Sequence, residues 1–193
     1  MKRIFTALLL IICSGAFAQD SLKVFNYNRV NTTRAGMEVL GSWGIANVGI
    51  GIAGLSNSKG GANRSFYKMT TIWGATNLLA AVIGTLQNDQ NLSLNGQATL
   101  AAQRKIERTF LINGCVDVAY LGVGIYLKQR GDHKNFSDLK GDGSAIIVQS
   151  IFLLIFDGTM YSTHRHNGNK LRRFLEKNPI GFTGKSVGIN FNM

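Results

Sequence analysis

The chain has 193 residues, enough for one domain with a substantial core, and its single Pro and 23 Gly suit helices in close contact. Its net charge of +11 lies mainly in connectors and near the C-terminus, which favours anionic lipid headgroups over nucleic acid as a partner. The mean hydropathy of +0.07 is low for a membrane protein, because these polar segments dilute the apolar windows.

Residues 1–18 are typical of a secretory signal peptide. Lys2 and Arg3 give a positive start, an apolar stretch follows, and an Ala-Phe-Ala motif predicts cleavage before Gln19. The apolar stretch is short for a membrane span, although an uncleaved anchor is the alternative. After cleavage only Cys115 remains, which excludes an internal disulfide and a Cys-based zinc site. We expect Cys115 to be a buried small hydrophobic residue.

Four apolar windows are long enough to cross a membrane, and they cover residues 35–55, 69–86, 109–127 and 144–163. Each is apolar nearly all round, whereas a helix of a soluble bundle shows a polar face every three to four residues. We therefore predict an all-α, four-helix transmembrane bundle with up-down topology, formed by residues 19–166. A soluble helical bundle is the alternative. Residues 167–193 are predicted to form a basic C-terminal tail.

Some helices are predicted to continue beyond the bilayer. Residues 94–110 contain good helix formers and lead into the third window without a breaker, and residues 21–34 form a similar amphipathic segment. The last ten residues alternate like a strand. Because the sequence offers no evident partner strand, we expect a loose tail there.

Two rules disagree about orientation. A cleaved signal peptide places the mature N-terminus outside, and four spans return the C-terminus to the same side. The positive-inside rule prefers the opposite arrangement, because the basic residues at 104–108 and after residue 163 would lie outside. We favour the signal peptide, since translocated tails follow charge weakly, and we expect a location in the bacterial inner membrane.

A polar side chain recurs near the middle of every window. In the first three windows, a Gly is followed three residues later by an amide or a carboxylate. The pairs are Gly44 with Asn47, Gly74 with Asn77, and Gly114 with Asp117. The fourth window contains Asp157 without the preceding Gly. This spacing indicates a weak internal repeat of one helix unit.

Helix midpoints in an up-down bundle share one level, so we predict that these side chains meet near the bilayer centre. There each polar group needs partners from other helices. The predicted buried polar cluster comprises Asn47, Asn77, Asn113, Asp117, Tyr120, Gln149, Asp157 and Tyr161. Trp43 and Trp73 lie too deep for an interfacial belt and are expected to pack in the core.

The cluster permits several functions. It can be a hydrogen-bonded clasp that fixes helix register. Alternatively, a small-molecule pocket can lie under the extracellular lead-in segments of the helices. The cluster can also be a proton or cation pathway, because the windows contain no Lys or Arg to pair with Asp117 and Asp157. The two carboxyl groups would then be protonated or share a cation. The sequence predicts no catalytic residue, metal site or cofactor.

Other charged residues are predicted to have structural roles. Glu107 follows Arg104 at a spacing that suits an ion pair on an exposed helix surface. The run His164-Arg165-His166 could bind a metal, but residues two apart do not share a helix face, so we interpret it as an interfacial basic cap.

The helical segments resemble an uncharacterised family of small membrane proteins from the Bacteroidota, a domain of unknown function. The resemblance covers residues 29–164 and depends on W…N, N-x-x-x-D-x-x-Y and Q…FD motifs. The matching residues are Trp43, Asn47, Trp73, Asn77, Asn113, Asp117, Tyr120, Gln149 and Asp157. The resemblance implies a signal-like start and four membrane helices, and it implies no chemistry.

Our leading hypothesis is a non-enzymatic structural or partner-binding component of the cell envelope. Its expected partners are the lipid bilayer and either a second copy of the chain or another envelope protein, with no nucleic acid. The alternative is a small proton- or cation-coupled transporter or channel that uses the midplane carboxylates.

Overall fold

The computed structural model describes the backbone of residues 2–178, 180–183 and 186–189, and the side chains of residues 20–178. Within these ranges the chain forms four α-helices and one β-hairpin. The elements are α1 (Lys2–Asn57), α2 (Gly61–Gln87), α3 (Gly96–Lys134), α4 (Ser137–Lys177), β1 (Ile180–Thr183) and β2 (Ser186–Ile189). The predicted all-helical class with four helices is confirmed, with the hairpin as a small addition.

Each helix contains a stretch that is long and apolar enough to cross a membrane. These stretches lie in Asp20–Asn57, Gly61–Gln87, Gly96–Lys134 and Ser137–Lys177. Large apolar side chains such as Ile45, Leu79 and Ile155 are exposed on the helices. Lipid accepts such a surface, whereas a soluble monomer rarely presents one.

The chain divides into two compact units. The first, here called the span unit, comprises Thr33–Asn88 and Thr109–Tyr161. The second comprises Met1–Thr32, Asp89–Arg108 and Ser162–Met193. We call it the flanking unit, because its segments flank the spans in the sequence. The span unit contains nearly all residues of the four predicted windows.

The flanking unit has an apolar core of its own. Leu22, Leu100, Leu171 and Leu175 are buried together, so that α1, α3 and α4 each contribute. Leu171 and Leu175 lie four residues apart on one face of α4. The first part of the predicted basic tail, residues 167–193, thus belongs to α4, which continues as far as Lys177.

The C-terminal strand is paired, whereas the sequence predicts a loose tail. In the antiparallel hairpin, Ile180 pairs with Ile189, and Thr183 pairs with Ser186. The alternating pattern was thus a strand signal, but its partner is the segment immediately before it. The structure differs here from the loose tail that we expected.

The repeated Trp-Gly-x-x-Asn segments of α1 and α2 meet where these helices cross. A Cβ atom on Gly44 would lie 2.8 Å from the carbonyl oxygen of Gly74, and one on Gly74 would lie 2.8 Å from the carbonyl oxygen of Gly44. The contact is therefore reciprocal, and the two backbones touch because neither residue has a side chain. Gly41 faces Ala81 and Gly51 faces Thr71, so the helices run antiparallel.

A second reciprocal glycine contact joins α3 to α4. A Cβ atom on Gly124 would lie 3.1 Å from the carbonyl oxygen of Gly143, and one on Gly143 would lie 2.7 Å from that of Gly124. Only residues 135 and 136 separate these two helices, and Asn135 has a positive φ of 52°. The pairs α1–α2 and α3–α4 are thus tight antiparallel hairpins, as the up-down prediction requires of these two pairs.

We predict that Gly44→Ala and Gly74→Ala each lower the free energy of unfolding by about 1–3 kcal/mol, because the added methyl group meets backbone atoms that cannot rotate away. The measurement is SDS-induced unfolding in detergent micelles, followed by circular dichroism. Gly49→Ala is the matched control, since nothing lies within 4 Å of its Cβ position on the same helix. An equal effect of all three substitutions would contradict the crossing contact.

Candidate functional site

A fully buried amide connects three helices of the span unit. Gln149, on α4, accepts hydrogen bonds at Oε1 from Trp43 Nε1 at 2.9 Å and from Asn77 Nδ2 at 3.3 Å. Its Nε2 donates to Asn47 Oδ1 at 2.6 Å. We call these four residues the Gln149 hub. Both ends of one amide are used, so the hub fixes α4 against α1 and α2.

The repeat in α1 and α2 supplies the other members of the hub. Trp43 and Asn47 lie one turn apart on α1, where Asn47 Nδ2 also donates to the Trp43 carbonyl oxygen at 2.7 Å. Asn77 has the equivalent position on α2. The indole of Trp43 stacks on Phe152 of α4, with ring centroids 4.1 Å apart and an interplanar angle of 9°. This stacking aims the indole N–H at Gln149.

A pair of carboxyl groups joins α3 to α4. Asp117 and Asp157 are each 4% exposed, and their carboxyl groups face each other. The Asn113 side chain also lies near the Asp157 carboxyl group. Asp117 Oδ2 and Asp157 Oδ1 are buried and have no hydrogen-bond partner in the described part of the chain.

The structure divides the predicted polar cluster into two groups. Asn47, Asn77 and Gln149 belong to the hub, whereas Asn113, Asp117 and Asp157 belong to the carboxyl pair. No hydrogen bond joins the two groups among residues 20–178. Asn113 is exposed at the surface of the chain, although its side chain reaches Asp157.

The two predicted tyrosines lie outside both groups. Tyr120 is 40% exposed, and its ring packs edge-on against Trp73 at 5.0 Å. Tyr161 is half-buried. Trp73 is also half-buried. Both Trp residues contact other rings of the span unit, Trp43 through Phe152 and Trp73 through Tyr120. The functional role of the predicted residues stays a prediction.

Sequence reasoning missed the polar role of Trp43. We assigned it to core packing alone, yet its indole N–H is a member of the hub. A general signal was present, because a Trp deep in an apolar span needs an acceptor for its N–H group. The position of that acceptor depends on which helices are neighbours, and this is not readable from one span.

The flanking unit contains a buried carboxylate that we had placed on the surface. Glu107 is 4% exposed and forms ion pairs with Arg165 at 3.2 Å and Arg172 at 3.4 Å, both on α4. The predicted surface pair of Glu107 with Arg104 is therefore wrong. The turn of α3 points Glu107 toward α4, whereas Arg104 lies on the exposed face.

The predicted basic cap is also wrong for its first residue. His164 is 0% exposed, and its carbonyl oxygen accepts a hydrogen bond from Gln103 Nε2 at 2.7 Å. Gln103 Oε1 in turn accepts from Asn167 Nδ2 at 2.9 Å. His164 therefore belongs to a polar interior of the flanking unit, whereas Arg165 and His166 remain exposed.

Cys115 is exposed, so its predicted burial is wrong. The apolar window of α3 is only 17% buried within the chain, the smallest share among the four helices of membrane-crossing length in the described residues. A thiol is a weak hydrogen-bonding group, and an exposed position on an apolar helix surface leaves little polarity unsatisfied.

These features define a protein with four apolar helices of membrane-crossing length in its described part, whose buried polar groups are largely paired across helices. Residues 39–158 match DUF6992, a family of unknown function, and the chain belongs to that family. The predicted relation to an uncharacterised family is confirmed. The matched range includes the Gln149 hub and the carboxyl pair. No curated protein and no solved structure matches the chain.

We predict that Gln149→Leu lowers the free energy of unfolding by about 2 kcal/mol, because it leaves the polar side chains of Trp43, Asn47 and Asn77 without their shared partner. SDS-induced unfolding in micelles measures the change. Ser150→Ala is the control, since this equally buried neighbour bonds only to the carbonyl of Ile146 in its own helix. If the control is as destabilising as Gln149→Leu, the hub does not hold the helices together.

Proposed function

We propose that this chain is a non-enzymatic integral protein of a bacterial envelope membrane, acting as a structural or partner-binding component. Four helices of membrane-crossing length support the membrane location. The Gln149 hub is the observation that supports the structural role, because both the donor and the acceptor of each of its hydrogen bonds belong to this chain. A Bacteroidota origin and the inner membrane belong to the same proposal.

The flanking unit supplies the partner-binding part of the proposal. Each membrane crossing reverses the side of the chain, so four crossings place its three segments on one side of the membrane. Four of its leucines form a buried core, while basic side chains such as Arg104, Lys170 and Arg173 are exposed. Such a surface favours anionic headgroups or an acidic region of another envelope protein, or of a second copy of the chain.

The proposed orientation follows from the signal peptide. Cleavage before Gln19 would leave the mature N-terminus, and with it the flanking unit, outside the cytoplasm. The α1–α2 turn, which contains Lys59, would then face the cytoplasm together with the α3–α4 turn.

We expect Lys170→Cys to react with a membrane-impermeant maleimide in intact spheroplasts, and Lys59→Cys to react only after permeabilisation. Both substitutions are made in a chain that lacks Cys13 and Cys115, and both positions are exposed. Mass spectrometry of the mature N-terminus checks cleavage. The reverse labelling would overturn the orientation, and extraction of the protein by alkaline carbonate would overturn the integral-membrane proposal.

A second candidate function is proton- or cation-coupled transport. The carboxyl pair favours it, because Asp117 and Asp157 each keep one buried oxygen without a partner among the described residues. An unsatisfied carboxyl oxygen inside an apolar span is costly, and a proton or a cation would satisfy it. In this function the pair would bind and release the transported ion.

Under this second function, we predict that Na⁺, K⁺ or Li⁺ stabilises the wild type and not the Asp117→Asn/Asp157→Asn variant. A bound cation adds about 2.7 kcal/mol when its concentration is about 100-fold above Kd. Thermal unfolding in detergent, from about pH 5 to about pH 9, measures the effect over the range in which perturbed carboxyl groups titrate. Asp138→Asn, at an exposed position of α4, is the charge-matched control. Equal stability of wild type and double variant under all conditions would contradict ion binding, and the hydrogen-bonded clasp would remain as the role of the polar cluster.

A further inference from the structure

The turn between α1 and α2 forms a groove of about 670 Å³ in the span unit. One wall is apolar and includes Ile50, Ala53 and the ring of Tyr67. The other side is polar and includes Ser58, Lys59 and Asn63. The groove therefore has an apolar part and a polar part, as an amphiphilic ligand does.

The polar side of the groove presents unused donors. The ammonium group of Lys59 and the side-chain amide of Asn63 form no hydrogen bond or ion pair within residues 20–178. The helix α2 begins here at Gly61, and no side chain caps its first N–H groups. Free N–H groups and the positive end of a helix attract anions.

The charges within residues 58–68, which include the turn that lines the groove, have one sign. Residues 58–68 contain Lys59, Arg64 and Lys68 and no acidic residue. Asp142 of α4 accepts a hydrogen bond from Ser65 of this segment, and it does not line the groove. An anion placed beside Lys59 would thus meet attraction from several cations.

The position of the groove along the sequence matches a membrane interface. Ile50 and Ala53 lie in the last part of the first predicted window, which ends at residue 55, and Tyr67 lies just before the second window, which begins at residue 69. The apolar wall therefore lies where acyl chains begin, and the donors lie where headgroups are found.

We propose that this groove binds an anionic phospholipid. The phosphate contacts Lys59, Asn63 and the first turn of α2, and an acyl chain packs against Ile50, Ala53 and Tyr67. A free phosphate would leave the apolar wall empty, and a zwitterionic lipid would place its own cation near Lys59. The inference rests on the proposed membrane location.

The test is native mass spectrometry of the full chain in detergent, with phosphatidylglycerol or phosphatidylcholine of identical acyl chains. Wild type is expected to retain one phosphatidylglycerol. Lys59→Gln should weaken retention about fivefold, as expected for one basic group at a headgroup. Lys68→Gln removes the same charge from a residue that does not line the groove, and it should change retention less than about twofold. Circular dichroism checks that each variant is folded.

A second variant tests the apolar wall separately. Ala53→Phe adds a ring to an exposed position in the groove and should weaken phosphatidylglycerol retention with every charge in place. Equal losses for Lys59→Gln and Lys68→Gln would overturn the proposal in favour of diffuse basic attraction. Equal retention of the two lipids, or displacement of phosphatidylglycerol by inorganic phosphate, would overturn it as well.

The outcome is separable from that of the proposed function. A protein that alkaline carbonate extracts from membranes fails both proposals. A protein that stays in the membrane but does not select phosphatidylglycerol fails only this one.

Discussion

The buried amide of Gln149 is the interaction on which the packing of the span unit depends. Lipid offers no hydrogen bonds, so every polar side chain within a span needs a partner from the protein. Gln149 provides that partner for Trp43, Asn47 and Asn77 at once. The same bonds fix the depth and rotation of α4 relative to α1 and α2, because a shift of one residue would turn the amide away.

Helix α4 connects the rest of the span unit. Its Gln149 reaches α1 and α2, and its Asp157, about two turns further along, reaches Asp117 on α3. The apolar window of α4 is 44% buried within the chain, compared with 17–22% for the other three. The glycine contacts make this arrangement possible, since two helices that touch through their backbones bring short amide and carboxyl side chains within reach of a third helix.

The sequence predicts the parts of this structure that depend on one helix alone. Four windows without a polar face predict four helices. The Gly-x-x-polar spacing predicts side chains at one depth, whereas the structure divides them between the Gln149 hub and the carboxyl pair. Contacts between side chains of different helices are harder to predict from the sequence. Glu107 has a suitable neighbour in Arg104 along the helix, yet its partners are Arg165 and Arg172 far along the chain.

One local signal could have improved the prediction for the C-terminal end. Leu171 and Leu175 form an apolar stripe within a basic run, which is typical of a helix with a packed face. The exposure of Cys115 had no such signal, because an apolar span does not indicate which of its sides meets protein and which meets lipid.

The contact between Gly44 and Gly74 also has a consequence for the order in which the bundle assembles. It joins two helices that are consecutive in the chain, so it can form as soon as α2 has been synthesised, before α3 exists. The second hairpin can form in the same way through Gly124 and Gly143. In the proposed membrane protein, the bundle can therefore form from two preassembled hairpins. Until α4 has been synthesised, the polar side chains of Trp43, Asn47 and Asn77 lack their shared partner, Gln149. The first hairpin is therefore incompletely hydrogen-bonded until the last helix is in place.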